Sequence, residues 1–320
     1  MSTLASQVLM VRPSRFLANP QTLGSNHFQQ LVPDAGAHHT LLAQQAFDGY
    51  VAALRAAGVR VQVFAQTRPD TPDALFPNNW FSTHADGTLV LYPMAAANRR
   101  LERRDDIVAW LQQQGVGRTL LDLSAHEQHG QYLEGTGAIV FDHAARRAWL
   151  CRSGRSQPAL LQPLAARLGY RCEVFDAVDA AGRAIYHSNV MMAIGPDFAV
   201  VCLPAIADVG ERQRVRSRLR RDGKTVISIS QAQMASFCGN IIALRGGDGG
   251  TVIAMSSRAW AAFTSAQQAT LAAHGRIVHA PLDIIEDLGG GGARCMVAEV
   301  FSPDAPAHCS AAGRAVAIAG

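Results

Sequence analysis

The stretch "YLEGTGAIVFDHAARRAWLCRSGRSQPALLQPLAARLGYRCEVF", residues Tyr132–Phe175, contains one complete unit of the pattern that decides the fold. Two short apolar strands come first, a helix follows, and a third apolar strand ends the unit. In the helix, Leu160, Leu164 and Leu168 stand at i, i+4 and i+8, so they form one apolar face. The stretch therefore predicts a ββαβ unit.

The same unit recurs at intervals of about 50 to 60 residues along the chain. Five apolar strands each precede a helical stretch, and they begin at Gln7, Gly87, Arg146, Asp197 and Gly250. Each helical stretch leads to a second strand, and these begin at Val59, Thr119, Arg171, Thr225 and Arg276. Because five equivalent units can close into a ring, the repeat predicts an α/β fold, a five-bladed pseudo-symmetric α/β-propeller. No change in composition marks a linker, so we expect a single domain over residues 1–320.

Residues able to do chemistry stand at a similar position in each unit, in the segment that follows the second strand. They are Asn79, Glu134, His187, Cys238 with Asn240, and Cys295. In a ring, residues at matching positions converge on the axis, so side chains more than about 200 residues apart in sequence can share one pocket. We expect such a pocket here.

The composition favours a soluble globular protein. Of the 320 residues, 48% are apolar and 17% are charged, which leaves enough apolar material for a sizeable core. The formal net charge is only +4, and two basic runs stand out, Arg99–Arg104 and Glu211–Arg221. Both runs are interpreted as solvated helix faces, so no nucleic-acid partner is expected.

The chain carries no recognisable targeting signal. The N-terminal sequence "MSTLASQVLMVRP" lacks a basic region followed by a long apolar stretch, so we expect no signal peptide. No run of about 18 apolar residues occurs, so we expect no membrane partner. The cysteines show no paired spacing, which predicts a reduced cytoplasmic protein; they are Cys151, Cys172, Cys202, Cys238, Cys295 and Cys309.

Four motifs carry a resemblance to a known family. They are "FPNNW" at Phe76–Trp80, "EGTG" at Glu134–Gly137, "HSN" at His187–Asn189 and "GGGGARCM" at Gly289–Met296. They resemble motifs of the guanidine-modifying enzymes, which include arginine deiminase, dimethylargininase and the amidinotransferases. The likeness is greatest to an amidinotransferase-like branch that includes citrulline-utilisation hydrolases. The resemblance implies a five-bladed α/β-propeller (pentein-like) fold, in agreement with the repeat.

The resemblance also implies roles for three residues. Cys295 would be the nucleophile that attacks the central carbon of a guanidinium or related group. His187 would act as general acid and base, and its charge would help to ionise a thiol whose pKa is about 8.5 when free. Glu134 would orient His187 or bind a substrate nitrogen. The glycine run would let backbone amides approach the reacting carbon and polarise it.

The motifs depart from those of family members that act on arginine. Such enzymes usually have aspartate where this chain has Asn79, Asn189 and Gly137. A buried guanidinium needs carboxylate partners, whereas asparagines offer both amide donors and carbonyl acceptors. That set suits the neutral ureido group of citrulline. The sequence therefore predicts a cysteine-dependent hydrolase of citrulline or a similar ureido compound that releases ornithine, ammonia or both.

The α-carboxylate of an amino-acid substrate needs a cation. Arg155 in "SGRS", Arg99 and Arg294 are the candidates, and an arginine could hold a carboxylate with two hydrogen bonds. The sequence "HEQH", His126–His129, lacks the i, i+4 spacing of zinc-binding histidines. We therefore expect neither a metal nor an organic cofactor.

Three other functions stay open. An amidinotransferase shares the thiolate step and differs in the acceptor that resolves the intermediate. An arginine deiminase or dihydrolase would act on the guanidine group, and dihydrolases also resemble this chain in the asparagine at position 79. A non-enzymatic ribosome-binding factor of the same fold is the remote class, because it would not need Cys, His and Glu at matching positions. We expect a small amino-acid substrate as partner, and the oligomeric state stays open.

Overall fold

Five small sheets make up the fold of residues 3–30 and 36–301, which are the residues that the computed structural model describes. Their strands are β1 (Gln7–Arg12), β2 (Arg60–Ala65), β3 (Phe81–Thr83), β4 (Thr88–Leu91), β5 (Thr119–Asp122), β6 (Ile139–Asp142), β7 (Arg147–Cys151), β8 (Arg171–Phe175), β9 (Met192–Ile194), β10 (Phe198–Val201), β11 (Thr225–Ser228), β12 (Ile242–Arg245), β13 (Thr251–Ser256), β14 (Arg276–Ala280) and β15 (Ala298–Val300). The helices are α1 (Ala37–Ala56), α2 (Ala97–Arg100), α3 (Asp105–Gln113), α4 (Gly135–Ala138), α5 (Pro158–Leu168), α6 (Val209–Arg221), α7 (Gln231–Ala235), α8 (Ser257–Ala262), α9 (Ser265–His274) and α10 (Asp283–Gly289).

Each sheet has three strands in the same arrangement. The middle strand pairs antiparallel with one neighbour and parallel with the other. In the sheet β6-β7-β8, for example, Ile139 lies opposite Leu150 and Cys151 lies opposite Phe175. The other orders are β3-β4-β5, β11-β10-β9, β12-β13-β14 and β15-β1-β2. The predicted α/β-propeller of five repeated units is confirmed, and each of its sheets stays open.

In each sheet the strand that pairs antiparallel with the middle strand is the innermost one. Strand β15 lies against β3, β6 lies against β9, and β9 lies against β12. Side chains from β6, β9, β12 and β15 line a common small cavity between them. The unit that closes the ring joins the two ends of the described chain, because β15 pairs antiparallel with β1.

Burial explains why the sequence shows the middle strands so clearly. All residues of β7 and β10 are buried, as in a strand covered on both faces; β10 is apolar throughout, and β7 is apolar after Arg147. Strand β5 alternates between half-buried and exposed residues. The strand starts predicted from apolar runs therefore lie within one residue of those in the structure.

The helices pack over these sheets. The predicted apolar face of α5 is buried, and the helix ends at Gly169, whose φ of 73° suits a glycine cap. The second basic run lies on α6, which buries Val215 and Leu219. No helix in the described ranges is both long and apolar enough to cross a membrane.

Candidate active site

The candidate residues stand just before the innermost strands. Asn79 ends a short 3-10 turn before β3, and Glu134 precedes α4 and β6. His187 precedes a second 3-10 turn, which contains Asn189 and leads into β9. Cys295 precedes β15. Because the innermost strands surround one axis, the same position in each unit brings these side chains to one end of the ring.

A narrow cleft lies at this end of the ring. It is lined by Asn26, Asp73, Phe76, Asn79, Arg99, Arg155, Tyr186, His187, Gly289, Gly291 and Cys295. The cleft encloses about 10 Å³, which is room for roughly one water molecule. An amino-acid substrate needs more room than the cleft encloses in this structure.

His187 and Glu134 are hydrogen-bonded at the edge of this cleft. Nε2 of His187 lies 2.8 Å from Oε2 of Glu134, whose other oxygen accepts from the N–H of Ala95 at 3.0 Å. Because a carboxylate can only accept, Nε2 carries the proton, and the neutral ring keeps Nδ1 as a free base. Glu134 therefore fixes the tautomer in which His187 can take a proton.

Burial and charge together set the protonation of this pair. Burial alone raises the pKa of Glu134, but Arg155, the His187 hydrogen bond and Arg99 hold that pKa well below its usual range. Burial lowers the pKa of His187, although the Glu134 carboxylate opposes the shift. At neutral pH the pair therefore holds an ionised Glu134 and a neutral His187.

Amide groups surround the sulfur of Cys295. Nδ2 of Asn240 donates to it at 3.2 Å, and Nδ2 of Asn189 donates at 3.5 Å. Burial raises the pKa of the Cys295 thiol, while the Asn240 hydrogen bond, the Arg294 charge and the Asn189 hydrogen bond act in the opposite direction. The sequence predicted that His187 would ionise this thiol. Among the described residues, the hydrogen bonds to the sulfur come instead from asparagines.

The glycine run before Cys295 serves close packing. Gly290 has a φ of 60°, and a Cβ there would stand 2.6 Å from Asn26. A Cβ on Gly289 would stand 2.8 Å from Phe76. The N–H groups of residues 292, 294 and 295 all point to Oδ1 of Asn240. The prediction that the amides of this run polarise the substrate is therefore wrong at Gly292, because Asn240 already binds its N–H group.

Arg99 is buried in the wall of the cleft. It binds both oxygens of Glu102 at 2.9 Å and donates from Nη1 to Oδ1 of Asn79 at 2.7 Å. The interpretation of the first basic run as a solvated face is wrong at this position. The carboxylates of Glu102 and Asp73 neutralise the buried charge.

Arg155 lines the same cleft and is also buried. Its guanidinium bonds to Ser25 Oγ and to the carbonyl of Thr22, and it lies over the ring of Tyr186, 5.0 Å from the centroid. Its Nη1 is 3.6 Å from Oε2 of Glu134. Nη1 of Arg99 is 3.9 Å from the same oxygen, so the structure places both guanidinium groups next to the Glu134 carboxylate.

Arg294 points away from the cleft. Its guanidinium donates to the carbonyl of Val297 at 2.9 Å and to Glu299 at 3.1 Å, inside the cavity between the inner strands. The structure therefore does not bring Arg294 to the cleft as the sequence predicted, because the Val297 carbonyl and Glu299 hold its guanidinium in the cavity between the inner strands. Its charge still lowers the pKa of the Cys295 thiol.

Asp73 is a cleft residue that sequence reasoning missed. It is buried, and its Oδ2 accepts from Asn19 at 2.7 Å. Its Oδ1 has no hydrogen-bond partner among the described residues. Asp73 stands in a loop without periodic pattern, and the one available signal was its place three residues before the motif that begins at Phe76. An unpaired buried carboxylate oxygen in a cleft wall suits a cationic ligand group.

A family model spans nearly all of the elements that build this cleft. The model for "N,N dimethylarginine dimethylhydrolase, eukaryotic" matches residues 12–302. The chain belongs to this family. The predicted place among the guanidine-modifying enzymes is confirmed, as is the prediction of a hydrolase that acts on linear amidine or ureido C–N bonds. No curated protein matches this family member by sequence.

Solved structures share the fold of this dimethylarginine dimethylhydrolase family member. The arginine dihydrolase ArgZ of cyanobacteria has a TM-score of 0.71 and 19% identity over 94% of this chain, which spans 41% of the ArgZ chain. A variant of the isolated N-terminal domain of ArgZ, bound to substrate, has a TM-score of 0.70 and 18% sequence identity. This match covers 92% of this chain and 98% of that domain. A dimethylarginine dimethylaminohydrolase with an S-methyl-L-thiocitrulline adduct has a TM-score of 0.65 and 13% sequence identity. This match covers 92% of this chain and 100% of the dimethylaminohydrolase chain. At these identities the likeness shows the fold alone.

Proposed function

We propose that this chain is a cysteine-dependent hydrolase of the ureido group of citrulline or a closely similar amino acid. The observation that carries the proposal is the neutral polar lining around the sulfur. Asn189 and Asn240 contact Sγ, and Asn79 lines the same cleft. The carboxylate that adjoins them, Glu134, is already bound by His187 and the Ala95 N–H.

A guanidinium beside the sulfur would find no carboxylate among the side chains that contact Sγ. Burying an unpaired charge costs several kcal/mol, whereas a buried neutral amide needs only matched hydrogen bonds. A ureido group presents N–H donors and one carbonyl acceptor, and asparagine side chains offer the complementary set. The arrangement therefore favours the neutral substrate over the cationic one.

The remaining charged groups suit the amino-acid end of the substrate. Asp73 has a free carboxylate oxygen for the α-ammonium group. Arg99 and Arg155 line the same cleft and are the proposed partners of the α-carboxylate, although Arg99 is held by Glu102 and Asn79 in this structure. Because Arg155 now bonds to Ser25, substrate would take the place of that hydroxyl.

The reaction we propose proceeds in two halves. Nδ1 of His187 takes the thiol proton while Sγ of Cys295 attacks the ureido carbon. His187 returns that proton to the departing nitrogen, the C–N bond breaks, and ornithine leaves. A water that loses a proton to His187 then attacks the carbamoyl thioester, and the C–S bond breaks. The products are the free thiol and carbamic acid, which decomposes to ammonia and carbon dioxide.

Arginine dihydrolase activity is the second candidate. The fold is shared with a dihydrolase domain bound to substrate. Asp73 also gives the cleft one carboxylate oxygen without a partner. Both reactions release ornithine and ammonia, and they differ in the charge of the group that Cys295 attacks.

The test compares substrates directly. Purified protein is incubated with citrulline, arginine and dimethylarginine, and ornithine and ammonia are followed. We expect citrulline to give the highest kcat/KM. Cys295→Ser should abolish turnover, whereas Cys238→Ser, a change at a buried thiol bonded to the Ala259 carbonyl, should retain it. Faster turnover of arginine would overturn the proposal.

The covalent intermediate gives an independent check. Rapid quenching followed by mass spectrometry of the peptide that holds Cys295 should show a carbamoyl adduct of about +43 Da. An amidino adduct in its place would assign the chain to guanidine chemistry.

A further inference from the structure

Asn240 uses both ends of its side chain at the candidate nucleophile. It is fully buried in the turn between α7 and β12. Its Nδ2 donates to Sγ of Cys295 at 3.2 Å and to the carbonyl of Asn189 at 2.9 Å. Its Oδ1 accepts from the N–H groups of Gly292 and Arg294 at 3.1 Å and of Cys295 at 3.4 Å.

The orientation of this amide follows from its partners. Backbone N–H groups can only donate, so the atom that faces three of them must be the oxygen. The nitrogen is then the atom that faces both the sulfur and the Asn189 carbonyl. The donor to Cys295 is therefore fixed by the network and is not a free choice between two amide orientations.

We propose that Asn240 is a further catalytic residue, which stabilises the Cys295 thiolate through its amide and holds the turn that aims the sulfur into the cleft. The proposal rests on the proposed function only in taking Cys295 as nucleophile. A donor to sulfur stabilises the thiolate more than the thiol, which matters in a buried site where ionisation is costly.

The same residue places the second donor. Asn189 donates to Sγ at 3.5 Å, and its backbone carbonyl is held by Nδ2 of Asn240. The Asn240 side chain therefore connects three parts of the site: the turn that contains Cys295, the sulfur of Cys295 and the segment that contains Asn189. No cation hydrogen-bonds to the sulfur among the described residues, so Asn240 and Asn189 are its direct side-chain donors, and the Arg294 charge acts on the thiol without a hydrogen bond to it.

Asn240→Asp separates the two tasks of the side chain. The substitution keeps the oxygen that accepts the three backbone N–H groups and replaces the donor to sulfur by a negatively charged acceptor. The rate of alkylation of Cys295 by iodoacetamide is measured from pH 6 to 10, with the adduct quantified on the Cys295 peptide by mass spectrometry. At pH 8 we expect a rate at least about 100-fold lower than in the unsubstituted chain, because the midpoint of the pH profile rises by two units or more.

The control adds the same charge elsewhere. Gln113→Glu stands on the exposed end of α3 and should leave the alkylation profile unchanged. Coincident profiles for Asn240→Asp and the unsubstituted chain would overturn the proposal. Alkylation needs no substrate, so this result stands apart from the citrulline assay.

A second measurement needs no substitution. In protein labelled with ¹⁵N-asparagine, the side-chain amide signal of Asn240 should move with the same midpoint as the alkylation profile of Cys295. This measurement decides the question if Asn240→Asp does not fold. A signal that stays constant across the thiol titration would overturn the proposal.

Discussion

Asn189→Asp places a carboxylate beside the reacting sulfur and reverses the charge argument for substrate choice. Oδ1 of Asn189 lies 3.8 Å from Sγ of Cys295. A substrate carbon under attack by that sulfur brings its nitrogens to a similar distance. Two unit charges 4 Å apart interact with about 4 kcal/mol at an effective dielectric constant of about 20.

The expected magnitude follows for the two substrates. Arginine presents a cation to the new carboxylate and citrulline does not. If half of the Coulomb term survives solvent and imperfect geometry, arginine gains about 2 kcal/mol over citrulline, which is a factor of about 30. The new carboxylate also raises the pKa of the thiol, but that effect is common to both substrates and cancels in the ratio.

The assay measures kcat/KM for arginine and for citrulline in mixtures of both. We expect the ratio of arginine to citrulline to rise about 30-fold in Asn189→Asp, with Gln113→Glu as the charge control. A ratio that stays constant, or that moves toward citrulline, would refute the view that the neutral lining selects the neutral group.

Three further predictions concern the other charged groups of the fold. Glu134→Gln should lower kcat at least about 100-fold with little change in KM, since it no longer fixes the tautomer of His187; steady-state kinetics check this. Asp73→Asn should raise KM for citrulline about 10- to 100-fold but leave turnover of an analogue without the α-amino group unchanged. Burial lowers the pKa of His84 to about 4. Lowering the pH from 7 to 5 should therefore reduce the free energy of unfolding by about 2 kcal/mol through this residue, as denaturant titrations at the two pH values would show.

The sign of the pH effect follows from proton binding. The folded chain keeps His84 neutral, whereas the unfolded chain binds a proton as the pH falls through about 6.5. Stability is therefore present at neutral pH and is lost on acidification. His84→Asn should reduce the difference between the two pH values. An equal stability difference in both proteins would contradict the role given to His84. An unchanged kcat in Glu134→Gln would contradict the role of Glu134. An unchanged KM in Asp73→Asn would contradict the role of Asp73.

The sequence contained most of the fold because the repeat is local. Strands buried on both faces, such as β10 and the part of β7 after Arg147, are apolar runs, and the strands could be located from these runs. The phase of the repeat also indicated which residues would meet. Cys295, His187 and Asn79 do line one cleft, although they stand far apart along the chain.

Contacts between distant segments were not visible in the sequence. In the sequence Arg99 belongs to a basic run that predicts a solvated face. Asp73 and Asn79 bind its guanidinium and allow its burial, but they come close to Arg99 only in the folded chain. The amides of the glycine turn looked free for substrate, yet Asn240 binds them from another unit of the ring. In each case the deciding partner lies more than about 15 residues away, beyond the reach of any helical or strand period.

The pairing of β15 with β1 has a consequence for biosynthesis. A ribosome delivers the N-terminal strand first and holds it without its antiparallel neighbour until the fifth unit emerges. Cys295 precedes that neighbour by only three residues, so the proposed nucleophile and the missing strand are synthesised close together in time. We therefore expect a chain truncated before the fifth unit to lack both the strand that pairs with β1 and the Cys295 thiol, so that the proposed activity requires the closed ring.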